Sequence, residues 1–182
     1  MNKFLEKTTR LGLPSALAAV FVAIFTPFFV NQAGALPDDK NQDIIVNANS
    51  SEVFLDEGKV IYRGLPQQPA VVTQGSRKIS GLEIIVERSE GEIRRITVSG
   101  TPAHFQQQPE IDKGIIYAEG ETILYEEDKQ LLTVNESARL IQEGNTLSGY
   151  RIEYNFEAKT ARAMSRNSEE QVNMVIPPQR QD

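Results

Sequence analysis

From Ile44 to Ile176 the chain is a succession of short runs rich in Val, Ile, Tyr and Phe, broken every few residues by Gly, Pro, Asn or charged clusters. β-Branched and aromatic side chains suit a pleated surface, and the interrupting residues suit turns, so this texture specifies an all-β domain. It predicts strands at 43–48, 52–56, 59–63, 70–74, 77–87, 93–99, 103–107, 115–118, 121–126, 130–134, 138–142, 146–155, 158–165 and 171–176. Turn chemistry falls at Asp56-Glu57-Gly58, Pro66-Gln67-Gln68-Pro69, Ser89-Glu90-Gly91, Gly100-Thr101-Pro102, Glu126-Glu127-Asp128 and Glu143-Gly144-Asn145. Glu119 to Leu132 is long enough for a helix, but Ile123, Tyr125 and their β-branched neighbours read as two strands turned at Glu126 to Lys129.

Within these runs apolar and polar residues alternate. Ile84 pairs in period with Val86, Ile96 with Val98, Ala103 with Phe105, Ile123 with Tyr125, Leu132 with Val134, Ala138 with Leu140 and Ile152 with Tyr154. Their neighbours Glu83, Thr97, His104, Thr133, Arg139 and Glu153 are polar. One dry face and one wet face is the signature of an antiparallel sheet.

The chain also repeats itself. Residues 74–86 align without gaps on 142–154, an offset of 68, with Ile79-Ser80-Gly81 over Leu147-Ser148-Gly149. Upstream, Ala48 to Gly64 aligns on Ala118 to Val134 at an offset of 70, with Leu65 to Pro69 absorbing the difference. Repeated strand units bury their apolar faces by stacking, which extends one apolar trough along the molecule. An ordinary duplicated sandwich with a dry core satisfies the same pattern, and periodicity alone leaves both readings open.

Ahead of this domain Lys3, Lys7 and Arg10 precede an apolar stretch from Leu11 to Val30, and Ala33-Gly34-Ala35 supplies the small residues that a signal peptidase requires. The pattern predicts export, cleavage after Ala35 and a flexible lead-in over residues 36–43. A retained anchor is the competing reading, since the run approaches a membrane span in length. Pro14 and Pro27 interrupt it and favour cleavage. Both readings place the domain outside the cytoplasm.

The side chains needed for most chemistry are missing. The formal net charge is −6, which disfavours nucleic acid as a partner. There is no cysteine, hence no thiol chemistry and no cysteine–zinc site. His104, the one histidine, sits between Ala103 and Phe105 and is expected to face solvent, so no Ser/His/Asp set can be built without it. No glycine-rich phosphate loop or metal-ligand spacing occurs, and Glu90, Glu92 and Glu126 to Asp128 read as solvated hairpin tips. Neither catalytic residues nor a cofactor is expected. Apolar strand surface is what the chain supplies in quantity, and that suits binding.

In order and spacing, several short segments resemble the OstA-like family of periplasmic lipopolysaccharide transport proteins, the LptA group. They are Ile44-Ile45-Val46-x-Ala48, Tyr62-Arg63-Gly64, Val72-Thr73-Gln74-Gly75, Gly100-Thr101-Pro102-Ala103-x-Phe105, Ala118 through Tyr125, Leu140 through Asn145 and Met174 through Pro178. The resemblance covers about Asp43 to Pro178. Val134 departs from it, standing where the first half has Gly64.

The resemblance implies an antiparallel, partly open, twisted β-jellyroll, here over 44–176, that takes part in a bridge between the two membranes. Lipid A acyl chains would ride inside while the sugars stay in water. The expected lipid lining is Ile44, Val46, Ile84, Val86, Ile96, Val98 and Phe105 from the first half. The second half adds Ile123, Tyr125, Leu132, Leu140, Ile152, Tyr154 and Met174. Plain core packing is the competing reading for each. Arg88, near a strand mouth, is a candidate contact for a lipid phosphate. Two strand edges are expected to take partners by β-augmentation. Ile44, Ile45 and Val46 would receive LptC, and Asn173, Met174, Val175 and Ile176 would meet the periplasmic domain of LptD. Head-to-tail self-association would use the same edges. An anchored LptC-like jellyroll and a non-transport β adaptor with a dry core are the alternatives.

Overall fold

The computed structural model describes residues 39–110 and 112–178; the predicted export signal and its cleavage site lie outside them. The described residues form β1 (Ile44–Asn47), β2 (Ser50–Phe54), β3 (Lys59–Arg63), β4 (Ala70–Gln74), β5 (Arg77–Gly81), β6 (Glu83–Ser89), β7 (Glu92–Gln107), β8 (Ile116–Glu126), β9 (Leu131–Gln142), β10 (Asn145–Asn155), β11 (Thr160–Met164) and β12 (Asn173–Val175). All of their pairings are antiparallel. Tight turns join neighbours. Glu90 and Gly91 both take left-handed φ, as do Glu143 and Gly144, the conformation of two-residue hairpin turns.

The long strands β7 to β10 lie side by side, and each is bent near its middle. Register slips between Ser99 and Ala103, between Glu119 and Thr122 and between Gly149 and Arg151. In β9, Glu136 and Ser137 have φ of 61° and 53°. Adjacent bends make one crease, which divides the sheet into two leaves. The first leaf runs from β2 through β3 and β6 into the first half of β7, then across β8, β9 and β10 to β11. The second runs from β1 through β4 and β5 into the second half of β7, then across the same strands to β12. At the crease the chain passes close to itself. A Cβ on Gly81 would come within 2.5 Å of Val98 and 2.6 Å of the Ser99 carbonyl oxygen, and one on Gly120 within 2.6 Å of Val134.

This arrangement corrects several predicted boundaries. Residues 77–87 are two strands, broken at Leu82, because each belongs to a different leaf. Gly100-Thr101-Pro102 does not reverse the chain but lies within β7. Strands 115–118 and 121–126 merge into β8, and 130–134 and 138–142 into β9. Turn-forming residues here mark bulges that bend a continuing strand.

The duplication is structural. Ile84 faces Tyr62 as Ile152 faces Val134, and Val72 faces Val46 as Leu140 faces Ala118. Strands β5 and β6 together are thus the counterpart of β10. The pairings put Val46 against Ala118 and Tyr62 against Val134, an upstream offset of 72 rather than 70. The segment between β3 and β4 absorbs four extra residues. Val134 accordingly sits in mid-strand and buried, and disturbs no turn.

Candidate functional site: the space between the leaves

Alternate side chains of both leaves point into one shared interior. Ile84, Val86, Ile96, Val98, Ile123, Tyr125, Leu132, Ile152 and Tyr154 from the first leaf are buried there with Phe105 and Leu140 from the second. Val46 packs half-buried against them. Ile44 and Met174 do not: they stand at strand edges, 43% and 62% exposed. The leaves meet through aromatic rings. Phe105 stacks on Tyr125 at 5.7 Å between centroids, and Phe156 stands 6.1 Å from Phe105 and 4.8 Å from Tyr154. In this state the interior is filled by its own side chains.

Opposite the crease, the free rims of the leaves are joined by ion pairs that sequence reasoning did not single out. Arg77, at the start of β5, is 3% exposed and reaches across to the first leaf. Its Nη1 donates to Glu127 Oε2 at 2.9 Å, its Nη2 to the Tyr125 hydroxyl at 3.1 Å and its Nε to Gln107 Oε1 at 3.1 Å. Its guanidinium also lies 4.4 Å from the centre of the Tyr125 ring. Burial pushes the Tyr125 hydroxyl up to about 12, against the opposing effect of Arg77. A second rim pair, Lys159 with Glu110, is exposed. A signal for Arg77 was present: it shares the inward period with Ile79, so its charge falls on a dry face.

Beside this rim is a cleft of about 590 Å³ lined from both leaves, by Ile44, Gln74, Arg88, Ile93, Arg94 and Glu127. Arg88 Nη2 donates to the Gly91 carbonyl at 2.6 Å. Among the described residues neither Arg88 nor Arg94 is paired with a carboxylate. His104 lies on the outer face, 3.9 Å from Glu119, exposed as expected. No group of three or more potential metal ligands occurs among the described residues.

The leaves do not close on themselves. β1 and β2 each have one neighbour at the N-terminal end, and β11 and β12 each have one at the C-terminal end. Large exposed apolar side chains gather at these ends: Ile44, Ile45, Val53 and Leu55 at one, Val172, Met174, Val175 and Ile176 at the other.

These features define a class, the open β-jellyroll built of a duplicated antiparallel unit with an apolar interior and unfinished ends. Residues 45–160 match the model of the LptA/(LptD N-terminal domain) LPS transport protein family. The chain is 34% identical to the lipopolysaccharide export system protein LptH of Pseudomonas aeruginosa, over 82% of this chain and 87% of that one. It is 26% identical to the export protein LptA of Escherichia coli K12, over 97% and 91%. The crystal structure of Pseudomonas LptH, described as the LptA-homologous periplasmic component of the lipopolysaccharide transport device, superposes with a TM-score of 0.69 at 32% identity. The match spans 78% of this chain and all of that one. The chain belongs to the LptA/LptD N-terminal family of lipopolysaccharide transport proteins, which is a family of transport components and not of enzymes.

Proposed function

We infer that this protein is a periplasmic carrier of lipopolysaccharide that shelters lipid A acyl chains between its leaves while the saccharide stays in water. The observation that carries this reading is the apolar interior formed by facing leaves that, among the described residues, are covalently continuous only at the crease. Each methylene withdrawn from water is worth about 0.8 kcal/mol, so several acyl chains need a dry path to cross an aqueous compartment. A uniform apolar lining holds such chains without fixing them. Since the interior is self-filled, loading requires the leaves to part at the rim. Arg88 and Arg94 line the rim cleft, and two cations there support a contact to a lipid phosphate as tails pass.

The export signal supports a periplasmic location with cleavage after Ala35, and N-terminal sequencing of the exported protein tests it: a chain starting at Leu36 supports the soluble carrier, an uncleaved one the anchored LptC-like reading. The two ends suit strand addition. β1 and β2 would take the jellyroll of LptC, β11 and β12 the N-terminal domain of LptD, and either end a second copy. That the matching family model spans both LptA and the LptD N-terminal domain supports stacking of like on like. Photo-crosslinking residues placed at Val86 and Phe105 in cells test the carrier reading. Labelled lipopolysaccharide at both is the expected result, and no label at either leaves a packed β adaptor.

A further inference from the structure

We propose that Arg77 and Glu127 form a latch that sets how readily the two leaves part, and so gates lipid admission across the rim. The proposal rests on the carrier reading above.

Three observations carry it. Arg77 belongs to the second leaf and Glu127 follows β8 in the first, so their 2.9 Å contact spans the mouth. Of the two rim ion pairs found among the described residues, this is the buried one, with Arg77 at 3% and Glu127 at 12% exposure, whereas Lys159 and Glu110 are wet. The counterpart of Arg77 in the second repeat is Asn145, so nothing in the duplicated architecture requires a cation there.

The physics favours a catch that reopens. A buried ion pair gains little over apolar side chains of similar size, because both charges must leave water. Parting the leaves returns Arg77 and Glu127 to water and recovers that desolvation. An apolar rim would instead expose oily surface on opening. The latch therefore holds the rim in register when shut yet keeps the open state accessible. The Tyr125 hydroxyl and Gln107 each accept a further guanidinium N–H, so in the shut state every guanidinium nitrogen has a hydrogen-bond partner.

The test uses the purified exported protein and the association rate of fluorescently labelled lipopolysaccharide. Glu127→Gln, which weakens the catch, is expected to speed uptake at least fivefold. Arg77→Met with Glu127→Leu, which makes the rim apolar, is expected to slow it at least fivefold while the protein stays folded. Opposite signs from two changes to one contact separate a gate from a merely structural pair. Because the chain has no cysteine, Arg77→Cys with Glu127→Cys, joined by a reducible bis-methanethiosulfonate linker that replaces the reach of the two long side chains, gives a covalent lock. Bridging should abolish uptake and reduction restore it, even if Glu127→Gln folds poorly. Wild-type uptake with less than a twofold change in the apolar double variant, or with a locked form that loads as fast as the reduced one, overturns the latch. Failure of the wild-type protein to take up lipopolysaccharide at all overturns the carrier reading instead.

Discussion

Phe105 and Tyr125 come from opposite leaves and stack at 5.7 Å, so one ring pair carries packing across the space that the carrier reading assigns to lipid. Phe156 touches both rings, which makes the trio the centre of contact between the leaves. Truncation to Phe105→Ala removes a ring that is 1% exposed and leaves a cavity between the leaves. A loss of about 3–5 kcal/mol in urea unfolding is expected. A loss below about 1 kcal/mol would mean the leaves are not packed together in solution.

Gly81 tests the crease. A side chain there meets the Ser99 carbonyl oxygen at 2.6 Å as well as Val98, and the carbonyl belongs to backbone that cannot rotate away. Gly81→Val is expected to destabilise by roughly 2–4 kcal/mol, in the range of severe steric substitutions. Gly91→Ala, at a hairpin tip with open space around it, should lose less, its strain being the left-handed φ of 88° alone. Thermal melts of the two variants give the comparison.

The Tyr125 hydroxyl predicts alkaline behaviour. Burial raises it to about 12, above its ordinary value near 10. Between those values the folded state holds a proton that the unfolded state has released. The contribution is therefore complete below pH 10 and is lost as pH rises toward 12. Tyr125→Phe should flatten the fall in stability over that window, as followed by urea titrations at successive pH values. An unchanged slope would show that Tyr125 does not titrate in this way.

Much of this architecture was legible in the chain. Alternation at Ile84/Val86 and Ile152/Tyr154 identified the buried face, and the Ser-Gly at 80–81 and 148–149 exposed the duplication. What escaped was the crease. Gly100-Thr101-Pro102 has the composition of a chain reversal, yet long strands shared by two leaves need only a local bend there. The same ambiguity hid the two-residue error in the upstream offset, since a shift of two preserves which face each side chain occupies. Arg77 escaped because a lone cation on an apolar face has no local partner in sequence; Glu127 is fifty residues away.

The unfinished ends carry a register of their own. In the pairings of the second leaf, Leu147 faces Met174 as Ile79 faces Phe105, which makes Met174 the counterpart of Phe105. Val46 is likewise the counterpart of Ala118. Within the chain Phe105 faces Ala118. If copies stack head to tail in continuation of the internal repeat, Met174 of one protomer must face Val46 of the next, and the exposed Met174 then reaches the interior its counterpart already occupies. Directly opposed residues on antiparallel strands bring their Cβ atoms to about 4.5–5.5 Å, near the reach of a disulfide. A Met174→Cys protein mixed with a Val46→Cys protein should therefore form crosslinked heterodimers under mild oxidation. Ile45→Cys, whose side chain points to the opposite face, should crosslink at least tenfold more slowly. Equal rates at positions 45 and 46 would mean random collision rather than strand addition in this register.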